Sequence, residues 1–154
     1  MRKMAQNNAE KLMEKAVEAK ARAIVKDEVR KLEGIVNDVV RAYYSSYTPK
    51  YYRRTYGFKN SVVSGSVKRE GKRIWAEVYF DDKALHQSLF PGNPQGYVPV
   101  LLNNGWHSKK LEKRIGPVYH LTYYGGFDLV GKIEKRYNAV KHPLANLLKT
   151  KVMD

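Results

Sequence analysis

The chain has 154 residues and no cysteine, is 43% hydrophobic, and carries 29 Lys and Arg against 15 Asp and Glu, a formal net charge of +14. That length suits one domain with a real hydrophobic core, and the apolar share argues against disorder throughout. The missing cysteines exclude a disulfide framework, a thiolate metal site and a thiol nucleophile.

The basic excess is uneven. Residues 1–47 carry 10 basic and 7 acidic groups, 48–80 carry 8 and 2, 81–105 carry 1 and 2, and 106–154 carry 10 and 4. The first part is a balanced helix surface; the excess in the second and last suits acidic partners, either nucleic acid or an acidic protein neighbour. No N-terminal apolar h-region follows Arg2 and Lys3, and no uncharged run approaches the length of about 18 residues that a spanning helix needs.

Residues 4–47 read as one long helix, with no proline before Pro49. Ala5, Ala9, Leu12, Ala16, Ala19 and Ala23 step by four and three, and Val25, Val29, Leu32, Val36, Val39 and Tyr43 repeat that stepping on a shifted seam. The second stripe is bulky and expected in the core. The first is small and weakly apolar, so that half of the helix is expected to project or to touch a neighbour. Gly34, in mid-helix, either permits a bend or close approach or simply costs about 1 kcal/mol against alanine. Thr48-Pro49 ends the helix, because a residue before proline is pushed out of the helical region.

After an irregular stretch over 48–60, Ser61–Arg69 and Arg73–Phe80 read as a hairpin around Glu70-Gly71-Lys72. Ile74, Ala76, Val78 and Phe80 fall on one face and Trp75, Glu77 and Tyr79 on the other; Val63, Gly65 and Val67 alternate in the partner strand. Gly65 reads as a bulge or a close contact. Asp81–Gly96 is loop-like. Tyr97–Asn104 suits a short helix with Pro99 in its first turn and Gly105 as its cap. His107–Gly116 reads as a mobile basic segment, Val118–Tyr123 as a strand, and Gly125-Gly126 as a break. Asp128 caps a helix over about 129–141 with Val130, Ile133, Tyr137 and Val140 inward, and Leu144, Leu147 and Leu148 suggest a further amphipathic turn past Pro143. The fold expected is α+β: a single domain over 1–154, with a long N-terminal helix (4–47) and a C-terminal helix (128–150) packed on a small antiparallel sheet within 59–123.

Chemistry-bearing patterns are sparse. His86, His107, His120 and His142 form no metal-ligand spacing, and Asp81, Asp82 and His86 suit a solvated turn better than a cation site. There is no nucleophile elbow and no phosphate-binding glycine loop. The expectation is a non-enzyme without metal or cofactor. The informative segment is Tyr43–Ser61, where six of the twelve tyrosines interleave with Lys50, Arg53 and Arg54. Tyrosine and arginine concentrate at protein contacts, and both stack on bases. Tyr43 and Tyr47 suit the helix core. Tyr51, Tyr52, Arg53 and Arg54 suit a loop packed on the sheet or an interface equally well, and a nucleic-acid-binding module built on residues 50–61 is the alternative reading.

Tyr47-Thr48-Pro49-Lys50-Tyr51-Tyr52-Arg53-Arg54-Thr55, followed by Asn60-Ser61, resembles a Y-x-P-x-x-Y-x-R-T…S pattern that follows the long N-terminal helix in the tail-completion (neck, head–tail connector) proteins of lambda-like long-tailed phages. Gly96–Trp106, an apolar stretch ending in Gly-Trp, is similar to their second shared segment. The likeness covers about residues 10–142. This chain departs from it at Tyr56-Gly57-Phe58, where an aliphatic residue is usual, and in its long loop before Tyr97. The resemblance implies a non-catalytic virion protein at the neck or upper tail, self-associated in a ring, contacting other neck and tail proteins, touching channel DNA without sequence readout, and not embedded in a membrane. Tyr51, Tyr52, Arg53, Arg54 and Trp106 become the candidate interface or structural anchors.

Overall fold

The structure, a computed structural model, describes residues 2–46, 57–81, 105–106 and 124–147. Helix α1 (Arg2–Ser45) leads into a 3-10 turn (Lys59–Ser61) and strands β1 (Val62–Ser64), β2 (Lys68–Glu70), β3 (Arg73–Trp75) and β4 (Val78–Phe80). Short strands β5 (Gly105–Trp106) and β6 (Tyr124–Gly125) and helix α2 (Leu129–Val140) complete the order. The class is α+β, with antiparallel pairing throughout.

Helix α1 runs for 44 residues, about 66 Å at the α-helical rise. Its second half carries the core: Val39 and Val40 are fully buried and Val36 nearly so. Phe58, Leu129 and Ile133 join them in one cluster, with Leu32, Ile35, Tyr43, Tyr44, Val62, Val78, Phe80 and Phe127 packed around it. The shifted valine stripe is therefore the core stripe. The Phe58 ring lies 4.9 Å from that of Phe80, and Tyr43 meets Phe127 edge-on at 5.4 Å. Phe58, where the resemblance expects an aliphatic side chain, fills the space between α1 and the hairpin. Gly34 is exposed, with nothing within 4 Å of where its Cβ would stand; no close approach within the described residues requires it.

The hairpin forms, with one irregularity that sets its faces. Val62 pairs with Phe80 and Ser64 with Val78, while beyond them Lys68 pairs with Trp75 and Arg69 with Ile74. The Gly65 N–H donates to the Glu77 carbonyl at 2.8 Å, leaving Ser66 and Val67 opposite Ala76 alone. The first strand thus carries one extra residue, a β-bulge. Gly65 serves as bulge entry and close contact together, since a Cβ there would lie 3.1 Å from Glu77 Cγ. The expected face of Ile74, Ala76, Val78 and Phe80 is the inner one. In the partner strand the bulge breaks the expected alternation of Val63, Gly65 and Val67: Val63 pairs with the exposed Tyr79, whereas Val62 packs on the core.

Asp128 caps α2 as expected, its side chain accepting from the Gly131 N–H. It does so from a left-handed backbone, φ 53°, a conformation that Asp tolerates better than most residues. The buried face of α2 is Leu129, Ile133 and Tyr137. Val140 is 54% exposed rather than inward: helical spacing puts it on the side of Leu129 and Ile133, but it is the last residue of α2. The helix ends at Val140, as the expected bound of about 141 has it, and does not extend through the region expected to 150. Residues 141–147 are non-helical and Leu144 is 78% exposed, consistent with a helix that cannot continue through Lys141-His142-Pro143. Gly105 lies in a strand rather than capping a helix, and Gly125 pairs with it rather than breaking the chain. The expected helix over 97–104 and strand over 118–123 lie outside the described residues.

Candidate functional site

Tyr51, Tyr52, Arg53 and Arg54 lie outside the described residues. Trp106 lies in β5, paired with Tyr124. Asp81 follows β4, where its N–H donates to the Ser61 carbonyl at 2.6 Å; Asp82 and His86 lie outside the described residues. Among the described residues, no group of three His, Asp or Glu side chains could hold a metal ion, and no helix is long and apolar enough to cross a membrane. Ser61, the last residue of the tyrosine–arginine pattern, is fully buried. Its hydroxyl donates to the Phe58 carbonyl at 2.7 Å, so at this point the pattern serves the fold.

Three features stand out instead. The first is a buried carboxylate. Glu28 is 6% exposed, within the apolar side of α1. Its Oε2 accepts from the Tyr137 hydroxyl at 2.8 Å and from the His142 backbone N–H at 3.0 Å, and its Oε1 accepts from Lys31 Nζ at 2.6 Å. Burial alone would push this carboxyl upward, but the lysine and the two hydrogen bonds outweigh it and hold Glu28 below its ordinary value. Burial, together with the neighbouring carboxylate, pushes the Tyr137 hydroxyl well above its own. A fully satisfied buried acid is a clasp: it fixes where α2 and the segment after it lie along α1. Sequence reasoning missed it. The signal was a single acid one turn before Leu32 in an otherwise apolar row, matched by a tyrosine in the core row of α2.

The second is a brace. The bulge places Arg69 on the face of Ile74, towards α1. There its guanidinium meets the Glu18 carboxylate and lies 3.8 Å from Glu14. Arg22 holds the other oxygen of Glu18 at 2.8 Å. The Arg22 hydrogen bond, opposed by burial and aided by the charge of Arg69, lowers the Glu18 carboxyl. On the opposite face Lys68 sits 4.9 Å over the Trp75 ring and 3.3 Å from Glu77.

The third is the first half of α1. Residues 6–17 are all exposed, and Leu12, Met13 and Val17 show 67%, 65% and 69% of their surface. Among the described residues, the brace reaches this half of the helix through Glu14 and Glu18, with Arg22 beside them.

Among the described residues, α1 is thus anchored in the core through its second half, and residues 6–17 of its first half are exposed. The sequence model of one family, YomN, matches residues 6–123, most of the chain, and the chain belongs to that family. The family is phage-derived, which makes this a phage-encoded protein. No curated protein and no solved structure matches it.

Proposed function

We propose that the chain is a non-catalytic structural protein of the phage particle, acting at the neck or upper tail in tail completion or head–tail joining. The observation that carries this reading is the bare first half of α1 in a phage-encoded chain: three large apolar side chains stand in solvent on a helix whose other half is locked into a core. Large exposed apolar side chains grouped on one surface mark interaction sites. The Tyr47–Thr55 pattern and the Gly-Trp segment narrow the reading to the neck. Its partners would be neck and tail proteins, further copies of the chain in a ring, and DNA passing through a basic channel by phosphate contacts. Tyr51, Tyr52, Arg53, Arg54 and Trp106 are the proposed anchors.

The test is genetic and structural. Deleting the gene from the phage that encodes it should leave heads and tails accumulating unjoined in electron micrographs, with joining restored by the wild-type chain and not by Tyr51→Ala with Arg53→Ala. Complete, infectious particles from the deletion would overturn the reading.

A further inference from the structure

We propose that Lys11, Lys15, Arg22, Lys26 and Arg30 of α1 form a row that binds the phosphate backbone of double-stranded DNA. The inference rests on the preceding reading only in expecting DNA beside the chain. Binding by the purified chain is measured apart from any place in the particle, so its failure would leave the virion assignment standing.

The row follows from helical spacing. Lys11, Lys15, Arg22 and Lys26 succeed one another at steps of four, seven and four residues, which keeps them within about 60° of arc. Arg30 follows one turn after Lys26. From Lys11 to Arg30 the row is about 28 Å long, most of the roughly 34 Å turn of a DNA duplex. Lys11, Lys15, Lys26 and Arg30 are exposed, and none of them has an ion pair among the described residues. The exposed Met13 and Val17 stand on the other side of the helix.

The brace keeps the row basic. Glu14 and Glu18 are the acids beside Lys11, Lys15 and Arg22. The Arg69 guanidinium, carried in on the hairpin, meets the Glu18 carboxylate and lies 3.8 Å from Glu14. Arg22 donates to Glu18 through Nε at 2.8 Å, and its two terminal amino groups make no hydrogen bond among the described residues. A guanidinium held by Nε alone keeps the rest of its fork for phosphate oxygens. Glu33, one turn past Arg30, closes the row.

The surroundings of these cations select the partner. No aromatic side chain precedes Tyr43 in α1, so the row offers no platform on which the bases of a single strand could stack. The exposed apolar side chains beside it are Ala19, Ala23 and, at its edge, Leu12, which do not amount to the bulky anchors of a protein contact. A duplex backbone needs neither. It is held by cations facing its phosphates, without sequence readout.

The test is fluorescence anisotropy of the full chain with short labelled duplexes of two unrelated sequences, titrated at several salt concentrations. Five phosphate contacts give a slope of log affinity on log salt of about −4.5, roughly a 500-fold loss between about 50 and 200 mM salt. Lys15→Gln with Lys26→Gln should make that slope shallower by about two, equally for both sequences. The control, Lys20→Gln with Lys135→Gln, removes the same charge from exposed sites off the row and should move the slope by less than about half a unit. All four positions are exposed, so neither double variant disturbs the core. Equal changes in the two double variants, the mark of unlocalised charge, would overturn the proposal. So would tighter binding of the single strand than of the duplex, or capture of polyglutamate at salt that releases the duplex, which marks an acidic protein as the partner.

Discussion

The Tyr137 hydroxyl donates to Glu28 at 2.8 Å in a buried contact that joins residues 109 apart in sequence. Removing either partner leaves the other without its match in a buried site. Tyr137→Phe should lower unfolding stability by about 1–2 kcal/mol, and Glu28→Ala by about 2–3 kcal/mol because it also strips the acceptor from the His142 N–H. The double variant should cost less than the two added together, since the pair acts as a unit. Urea unfolding followed by circular dichroism reads all three.

The same carboxylate sets an acid limit. Glu28 titrates below its unfolded value, so its contribution is complete above about pH 4.5 and is lost as pH falls through the folded value. Tyr137 has the opposite sign: its hydroxyl is raised, so its contribution is complete below about pH 10 and is lost only as pH rises further. Between these limits neither group should tilt the stability curve. Glu28→Gln should flatten the acid limb selectively, which thermal melts between pH 3 and pH 7 would register.

Gly34 offers a stabilising change. It is helical and exposed, with nothing within 4 Å of its missing Cβ. Gly34→Ala should raise stability by about 0.5–1 kcal/mol through helix propensity and a less free unfolded chain. A loss of stability on the same urea curve would mean that something packs on this position.

Arg69 is the centre of the brace. Arg69→Ala removes the guanidinium that meets Glu18 and lies 3.8 Å from Glu14. The hairpin should survive, because its turn and core pairs remain. Amide exchange in β2 and β3 should quicken relative to β1 and β4. Unchanged exchange across all four strands would show that the brace contributes nothing to their order.

Much of the fold was legible in the sequence because the physics was local. The absence of proline before Pro49 permits α1, the turn at Gly71 and the alternation of Ile74, Ala76, Val78 and Phe80 give the hairpin, and Asp128 gives the cap. The errors arose where an element's surroundings decide. Val63, Gly65 and Val67 do not share one face, because the bulge sets Val67 opposite Ala76 while Gly65 stands opposite Glu77. Val140 is exposed as the last residue of α2, although helical spacing puts it on the side of Leu129 and Ile133. Glu28 itself was invisible as a site, since an acid in a helix reads as surface until the helix that covers it is known. The pattern at Tyr47–Thr55 lies outside the described residues, and its described end, Ser61, is a buried hydroxyl serving a turn.

The central claim, that this phage-encoded chain is a virion component assembled through the bare half of α1, is tested most directly by quantitative mass spectrometry of purified virions grown on wild-type and Leu12→Asp, Val17→Asp backgrounds. Both positions are exposed, so the double variant should fold with stability within about 0.5 kcal/mol of wild type. The account predicts the wild-type chain in the particle at a fixed, multiple copy number, and the folded variant missing from it. A wild-type chain made in quantity yet absent from virions, or a variant incorporated as well as wild type, would contradict it.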